Sequence, residues 1–107
     1  MDISKLGEMM QQAKSVKEQM DAQLLDILVE GSSGGGAVTV RMNGRKELLK
    51  ITIAPSAASA AAGDITMLED LILAASNEAF RKASDAADAH ARSTASSMLG
   101  GLNLPGF

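Results

Sequence analysis

A glycine-rich run, EGSSGGG at residues 30–36, is the segment whose composition most clearly raises the question of a chemical role. Such a run can cradle a phosphate when it opens a helix and is followed by Gly-Lys-Ser/Thr, or when it lies in a strand–turn–helix unit. Here the glycines lead into AVTVRMNG, an alternating strand pattern, and no lysine or hydroxyl stands at the required place. We therefore interpret the run as a connection between strands, in which glycine supplies backbone freedom.

Acidic side chains and one histidine are the next candidates for chemistry. Glu69 and Asp70 form one acidic pair, Asp85 and Asp88 form another, and His90 is the single histidine. Solvated helix surfaces account for both pairs and for the histidine. Cysteine is absent from the sequence, which excludes thiol catalysis, thiolate metal sites and disulfides. We therefore expect a protein that is not an enzyme and has no catalytic residue, metal site, cofactor or small-molecule substrate.

Basic side chains offer the remaining chemistry, which is contact with phosphate groups. Lys14 and Lys17 are three residues apart and share a helix face, whereas Arg81 and Lys82 reach two adjacent faces. From spacing alone an ordinary solvated surface is the better interpretation, because charge runs are common. The sequence has two Phe and neither Trp nor Tyr, so recognition of single strands by base stacking is unsupported.

The apolar period changes along the chain and divides it into elements. A three- and four-residue period from Asp2 to about Leu25 predicts a long helix whose heptad-like seam packs along a partner helix, in its own chain or in a second copy. Alternation then predicts three strands, the last two joined by a tight hairpin at Asn43-Gly44, where both residues accept positive φ. The capping-box pattern from Thr66 to Glu69 opens a last helix. We predict that this helix continues through Arg92.

The predicted strands form an antiparallel meander with one apolar face. The hairpin loop has two or four residues, and both choices give the same side-chain faces. One face contains Val38, Val40, Leu49 and Ile51, and the other contains Arg41, Leu48, Lys50 and Thr52. Because the apolar face needs a helix over it, the predicted fold is α+β, with a long N-terminal helix before the meander and a long C-terminal helix after it. Residues 1–97 form a single domain, and the Gly/Pro-punctuated residues 98–107 form a flexible tail.

Size and composition limit the remaining possibilities. The 107 residues suffice for one small domain, and the scarcity of bulky rings predicts a shallow core that favours long helices and dimerisation. No run approaches the roughly 18 apolar residues of a membrane span, and the N-terminus lacks a basic segment followed by an apolar one. We therefore expect a soluble cytoplasmic protein. The net charge of −3 argues against strong non-specific binding to nucleic acid, although residues 31–53 carry four basic side chains against one acidic.

Two segments, LVEGSSGGGAVTVRMNG at residues 28–44 and MLEDLILAASNEAF at residues 67–80, are the most specific motifs of the sequence. They resemble the YbaB/EbfC family of nucleoid-associated proteins. The N-terminal LGEMMQQAKSVKEQM, the strand segment LLKITIAPS and the ending LGGLNLPGF are also similar to the family. The resemblance covers nearly the whole chain. It implies a dimer with projecting helical arms that binds double-stranded DNA with modest sequence preference in the nucleoid.

The same resemblance implies where DNA is contacted, since the family's contacts are attributed to its helical arms. Carried over to this sequence, the contacts are Lys14, Lys17, Arg81, Lys82 and Arg92. Arg41 and Lys50, on the outward face of the predicted sheet, form a second basic patch. Two departures from the family pattern are the connection SAASAAAGDIT and a last helix poor in Lys and Arg.

Two functions follow as hypotheses. The first is a dimeric nucleoid-associated protein that binds double-stranded DNA with low sequence specificity and affects nucleoid organisation or gene expression. The second is a helical protein-interaction module that docks partners in recombination or replication complexes, with weak or no DNA binding. The heptad-like seam of the first helix supports the second hypothesis as well as the first.

Overall fold

The computed structural model describes the backbone of residues 3–101 and the side chains of residues 3–97. Its elements follow the predicted order of helix, three strands and helix. They are α1 (Ile3–Leu25), β1 (Leu28–Ser33), β2 (Val38–Asn43), β3 (Leu48–Ile53), α2 (Pro55–Ala60), a 3-10 turn (Ala61–Gly63) and α3 (Ile65–Gly101). The strands form one antiparallel sheet in the order β1-β2-β3. The predicted α+β architecture is confirmed.

Helical structure is more extensive than the sequence pattern indicated. The connection SAASAAAGD contains α2 and the 3-10 turn, and α3 continues to Gly101, nine residues past the predicted end at Arg92. Alanine has the highest helix propensity, which favours both extensions. The flexible tail predicted for residues 98–107 stays a prediction: residues 98–101 continue the helical backbone of α3, and residues 102–107 lie outside the described residues.

The glycine run is divided between a strand and a turn. Glu30 to Ser33 belong to β1, so only residues 34–37 turn the chain into β2. Gly34, Gly35 and Gly36 have φ angles of 62°, 67° and 96°, a region that favours glycine. The predicted connection is therefore shorter than the whole run.

Gly31 has a different role, because α3 crosses β1 directly above it. A Cβ atom at this position would lie 2.3 Å from the carbonyl oxygen of Ala75 and 2.4 Å from the backbone nitrogen of Ala79. Both atoms belong to the helix backbone and cannot move without moving α3. The absence of a side chain at Gly31 therefore sets the distance between the helix and the sheet.

The core is a thin layer between β2 and α3. Val38 and Val40 are fully buried and Met42 is nearly so. They pack with an alanine row on α3, consisting of Ala75, Ala79 and Ala83. The partly buried side chains around this layer are Val29, Ile53, Leu68, Leu71 and Ile72. The small alanines permit the close approach of helix and sheet, and the shallow core expected from the composition is what the structure contains.

The β2–β3 turn differs from the predicted hairpin. The Lys46 N–H donates to the Asn43 carbonyl at 3.0 Å, and the Asn43 N–H donates to the Glu47 carbonyl at 3.2 Å, which encloses a loop of three residues. The positive φ, 64°, belongs to Lys46 rather than to Asn43 or Gly44. This is the turn that combines a type I bend with a left-handed third residue. The prediction of a two- or four-residue loop was wrong.

The odd loop length changes one side-chain face. Met42 pairs with Leu48, Arg41 pairs with Lys50, and a bulge at Leu49 absorbs the extra residue. Leu48 therefore lies on the face of Met42, whereas we predicted it on the face of Arg41. The bulge restores the predicted faces for the rest of β3, including Lys50 and Ile51.

The N-terminus of α3 is capped by a residue other than the predicted one. Asp64 Oδ1 accepts the Met67 N–H at 3.0 Å, two residues into a helix that begins at Ile65. Asp64 is thus the N-cap, and the capping box predicted from Thr66 to Glu69 was wrong because Thr66 already lies inside the helix.

The molecule is extended. Its Cα radius of gyration is 20.6 Å and its extents are 69 × 33 × 17 Å, against a radius of about 13 Å expected for a chain of this length. None of the 23 described residues of α1 is buried, and past Ala83 none of the α3 side chains described to residue 97 is buried either. Both helices therefore extend beyond the layer that forms the core.

Candidate nucleic-acid interface

The part of α1 farthest from the sheet carries a basic surface with few acidic side chains. Residues 3–17 contain Lys5, Lys14 and Lys17 against Glu8 alone, which is a net charge of 3 − 1 = +2. Lys14 and Lys17 are exposed, and neither forms an ion pair within the described part of the chain. Their ammonium groups are therefore available to phosphate oxygens.

Lys17 also interrupts the apolar seam of α1. Leu6 and Met10 precede it along the seam with exposures of 44% and 67%, and Met20 follows it. Burying this seam against an apolar helix would desolvate the Lys17 ammonium, which is costly without a partner charge. The seam around Lys17 is thus better suited to a polyanion or to water than to an apolar partner.

The basic residues on the outer face of α3 are interleaved with acids. Arg81, Asp85, Asp88 and Arg92 are spaced by four, three and four residues, so they share one helix face. Arg81 and Arg92 are exposed, but the four charges sum to 2 − 2 = 0. The long-range attraction of this face for phosphate is therefore weak compared with that of α1.

Lys82 is engaged at the edge of the sheet. Its Nζ donates to the Glu30 carbonyl oxygen of β1 at 2.9 Å and lies 3.1 Å from Glu78 Oε1, one turn earlier on α3. The hydrogen bond from Lys82 lowers the pKa of Glu78; burial opposes this, while the charges of Lys82 and Arg81 and a backbone hydrogen bond from Ser32 reinforce it. Lys82 thus ties α3 to β1, and its role in DNA contact stays a prediction.

The second basic patch lies on the outer face of the sheet. Arg41 pairs across strands with Lys50, and both are exposed. The Arg41 Nη2 atom also forms an ion pair with Glu30 Oε1 at 2.9 Å, so much of its charge is neutralised within the sheet. Lys50 is the residue of this patch with a charge left for an external anion.

One contact between the two long helices was not foreseen from the sequence. His90 Nε2 lies 2.8 Å from Gln23 Oε1, which joins α3 to the last turn of α1. The residues are 67 positions apart, and neither has a neighbouring motif that marks it. The contact places the C-terminal end of α1 beside α3, on the side of the sheet where the β2–β3 turn lies.

Other kinds of site find no support in the described residues. Among them, no group of three His, Cys, Asp or Glu side chains has an arrangement that could hold a metal ion. No helix within the described part of the chain is both long and apolar enough to cross a membrane.

Comparison with known proteins identifies the family. The sequence profile of the YbaB/EbfC DNA-binding family matches residues 1–99. A nucleoid-associated protein from Acidobacterium capsulatum is 51% identical over 108 residues, covering 98% of this chain and 96% of its own. A nucleoid-associated protein from Legionella pneumophila is 40% identical, with 98% and 91% covered.

A solved structure has a similar fold. The uncharacterized protein HP0035 from Helicobacter pylori matches with a TM-score of 0.66 and 27% identity, over 92% of this chain and 98% of that one. The resemblance inferred from the sequence motifs is confirmed by the profile and by the relatives. The chain belongs to the YbaB/EbfC DNA-binding family, which is a family of nucleoid-associated proteins and not of enzymes.

Proposed function

We propose that the protein is a homodimeric, nucleoid-associated protein that binds double-stranded DNA with low sequence specificity, chiefly through α1. The observation that carries this proposal is the exposed segment of residues 3–17, with three lysines against one acid and none of its described residues buried. The family and the names of the relatives support DNA as the ligand. An effect on nucleoid organisation or gene expression would follow from such binding.

Low specificity follows from the chemistry of the contacts. Lysine is a compact point charge that binds phosphate oxygens, which are the same at every base pair. Lys14 and Lys17 of two protomers would neutralise about four phosphates, so log K should fall by about 3.6 for a tenfold rise in salt. Arg81 and Arg92 would add weaker contacts, because Asp85 and Asp88 lie between them.

The surface proposed for dimerisation lies along β3 and the adjoining side of α3. Leu48 and Leu49 are each 50% exposed, Ile51 is 42% exposed, and Phe80 on α3 is 50% exposed. Among the residues that the structure describes, β3 is also an edge strand, paired with β2 alone. Exposed apolar side chains beside an unpaired edge favour association with a second copy.

The exposed area of the chain is consistent with such association. The accessible surface is 7670 Å², whereas a folded monomer of this mass is expected to expose about 5,600 Å². The unburied α1 and the half-exposed apolar residues of β3 both contribute to this area. A closed two-fold dimer would cover the β3 surface and present two copies of α1 to one duplex, which raises affinity through avidity.

Salt-titrated binding of a fluorescent DNA duplex, run beside a mass measurement of the free protein, tests the proposal. Lys14→Gln/Lys17→Gln should weaken binding at least about tenfold and reduce the salt slope by several units, with the dimer intact. Arg41→Gln/Lys50→Gln removes the same charge from the sheet and should change the affinity less. The proposal fails if the wild type forms no complex at low salt and micromolar concentration, or if the α1 variant binds like the wild type.

The second candidate is a helical protein-interaction module that acts in recombination or replication complexes. The exposed apolar residues of α1, such as Leu6 and Met10, are the observation that favours it. In that case Leu6→Ser/Met10→Ser would abolish partner binding, while Lys14→Gln/Lys17→Gln would leave DNA affinity unchanged or absent. The two pairs of variants, measured together, distinguish the candidates.

A further inference from the structure

We propose that Asn43 and Gly44, in the β2–β3 turn, are positioning residues that fix the direction of α1. Through α1 they would also set the geometry of the DNA contact, and this second step rests on the proposed function. Neither residue has a charge or an exposed position that would mark it as a DNA contact: Asn43 is 4% exposed and Gly44 is buried.

The direction of α1 must be fixed by specific contacts at its base, because the described helix buries no side chain against the rest of the chain. As described from Ile3 to Leu25, α1 buries no residue, so no core packing orients it. A helix of 23 residues is about 34 Å long, and a tilt of about 10° at its base moves the far end by about 6 Å. Small changes at the base therefore decide where Lys14 and Lys17 lie.

Gly44 contacts the end of α1 directly. Its N–H donates to the Leu24 carbonyl oxygen at 2.9 Å, and the same oxygen accepts the Ile27 N–H at 3.2 Å. The last carbonyls of a helix lack partners inside the helix, so this bond from the turn gives the Leu24 carbonyl a second partner and ties it to the sheet. The link is between backbone atoms and does not depend on a flexible side chain.

The space at Gly44 leaves no room for a side chain. A Cβ atom there would lie 2.7 Å from the Leu24 carbonyl oxygen, closer than real Cβ contacts allow, and 3.1 and 3.2 Å from Cβ and Cδ1 of Ile27. Unlike Gly34, Gly44 does not have a positive φ, so the glycine is required by the approach of α1 and not by the backbone conformation. Any larger residue must push α1 away.

Asn43 makes the turn rigid. Its Oδ1 accepts the N–H groups of Arg45 at 3.0 Å and Glu47 at 3.1 Å, and its Nδ2 donates to Glu47 Oε1 at 3.0 Å. The turn therefore presents the Gly44 N–H in one fixed orientation. Only Asp26 and Ile27 separate α1 from β1, and the Gln23–His90 contact gives a second fixed point, so the base of α1 is held on two sides.

The test measures the direction of α1 without relying on DNA or on dimerisation. Because the chain has no cysteine, Glu8→Cys/Thr52→Cys would give one spin label on α1 and one on the sheet. Electron–electron distances are then recorded in the intact chain, diluted with excess unlabelled protein so that only distances within one chain are seen. The variants added to this background are Gly44→Ala and, as control, Gly63→Ala, where nothing lies within 4 Å of an added Cβ.

We expect Gly44→Ala to shift or broaden the distance distribution by several ångströms, about 6 Å for a 10° tilt, while Gly63→Ala matches the parent. DNA affinity of Gly44→Ala should fall about tenfold, because the two α1 helices no longer meet one duplex together. A folded Gly44→Ala protein with the parent distance distribution would overturn the proposal. If the unlabelled wild-type protein binds no DNA, the proposed function fails, and the distances still decide whether the turn positions α1.

If Gly44→Ala fails to fold, Asn43→Asp provides the same test with a smaller disturbance of the folded structure. The carboxylate keeps the size of Asn43 but loses the Nδ2 donor and faces Glu47, so the turn loosens. A distribution broader than that of the parent supports the proposal. An unchanged distribution overturns it.

Discussion

The two long helices are attached to the sheet in different ways. α3 lies across β1 and β2, with three fully buried alanines and a glycine beneath it that permits backbone contact. α1 has no buried residue among those described and is attached at its base, through Leu24, Ile27 and the Gln23–His90 contact. Burial therefore decides the position of α3, while a few directional contacts decide the position of α1.

This difference separates stability from binding. Substitutions under α3 should change the free energy of unfolding, because they alter the packed layer. Substitutions on α1 should change local helicity or DNA affinity and leave the core intact, since regions with few buried contacts open independently of the whole. The following predictions test this separation, from the largest expected effect to the smallest.

The largest effect is expected for Gly31→Ala. Its Cβ would lie 2.3 Å from the Ala75 oxygen and 2.4 Å from the Ala79 nitrogen, so α3 must move away from β1. We expect a loss of about 3 kcal/mol or more in the free energy of unfolding, at the upper end of overpacking effects. Urea denaturation followed by circular dichroism measures it. A loss below that of the control Gly63→Ala would contradict the packing described for α3.

A loss of about 1 kcal/mol is expected for Asp64→Ala. Its carboxylate accepts the Met67 N–H at the start of α3, and N-cap residues contribute about this much. Thr66→Ala serves as the matched control, since Thr66 lies inside the helix and should change stability by less than about 0.5 kcal/mol. Equal losses in thermal denaturation would show that both residues cap the helix.

A glycine-to-alanine change in α1, at Gly7, should have the opposite effect to Gly31→Ala and should stabilise the helix that contains it. An added Cβ at Gly7 meets nothing within 4 Å, and alanine is favoured over glycine in a helix by about 0.8–1.0 kcal/mol. We expect amide hydrogens near Gly7 to exchange up to about fivefold more slowly in Gly7→Ala, with the urea midpoint unchanged. Faster exchange in α1, or a shift of the whole unfolding curve, would show that α1 packs more extensively than described.

The smallest effect concerns the Glu78–Lys82 pair. Its hydrogen bond from Lys82 lowers the pKa of Glu78, so the folded state binds this proton less readily than the unfolded state. The resulting stabilisation is present above the ordinary glutamate pKa of about 4.3 and is lost as the pH falls through the lower folded value. Glu78→Gln should show a smaller loss of stability between pH 5 and pH 3 than the wild type. Parallel pH profiles would mean that the ion pair contributes nothing.

Sequence patterns predicted the helix and strand positions and the side-chain faces that depend on local periodicity. Periods of 3.6 and 2 correctly predicted the end of α1 near Leu25 and the three strands. They also predicted the burial of Val38 and Val40 and the outward position of Arg41 and Lys50. The predicted start of α1 at Asp2 lies outside the described residues. The β2–β3 turn was predicted wrongly from the same patterns. Asn43-Gly44 is the stronger hairpin signal, but Lys46 is the residue of the turn that adopts a positive φ. The approach of Leu24 and Ile27 requires glycine at position 44 for space, which no local pattern shows.

The candidate interface was predictable only in part. Lys14 and Lys17 could be placed together on one helix face from their spacing, and the structure leaves both exposed. Lys82 appeared equivalent to Arg81 in the sequence, yet its ammonium contacts Glu30 and Glu78. Glu30 is 52 residues away from Lys82, so this engagement depends on the packing of α3 over β1.

By itself the sequence determined the types of α1, the three strands and α3, the side-chain faces of β2, the absence of thiol chemistry and the family. These properties depend on composition, on residue periodicity and on motifs of neighbouring residues. Only the tertiary structure decided which glycines lie under a helix, which lysines are engaged, and that α1 is held at its base by the β2–β3 turn. Those facts depend on distances between residues far apart in the chain. A change of one residue in loop length shifts the strand register and alters these distances without changing any local sequence pattern.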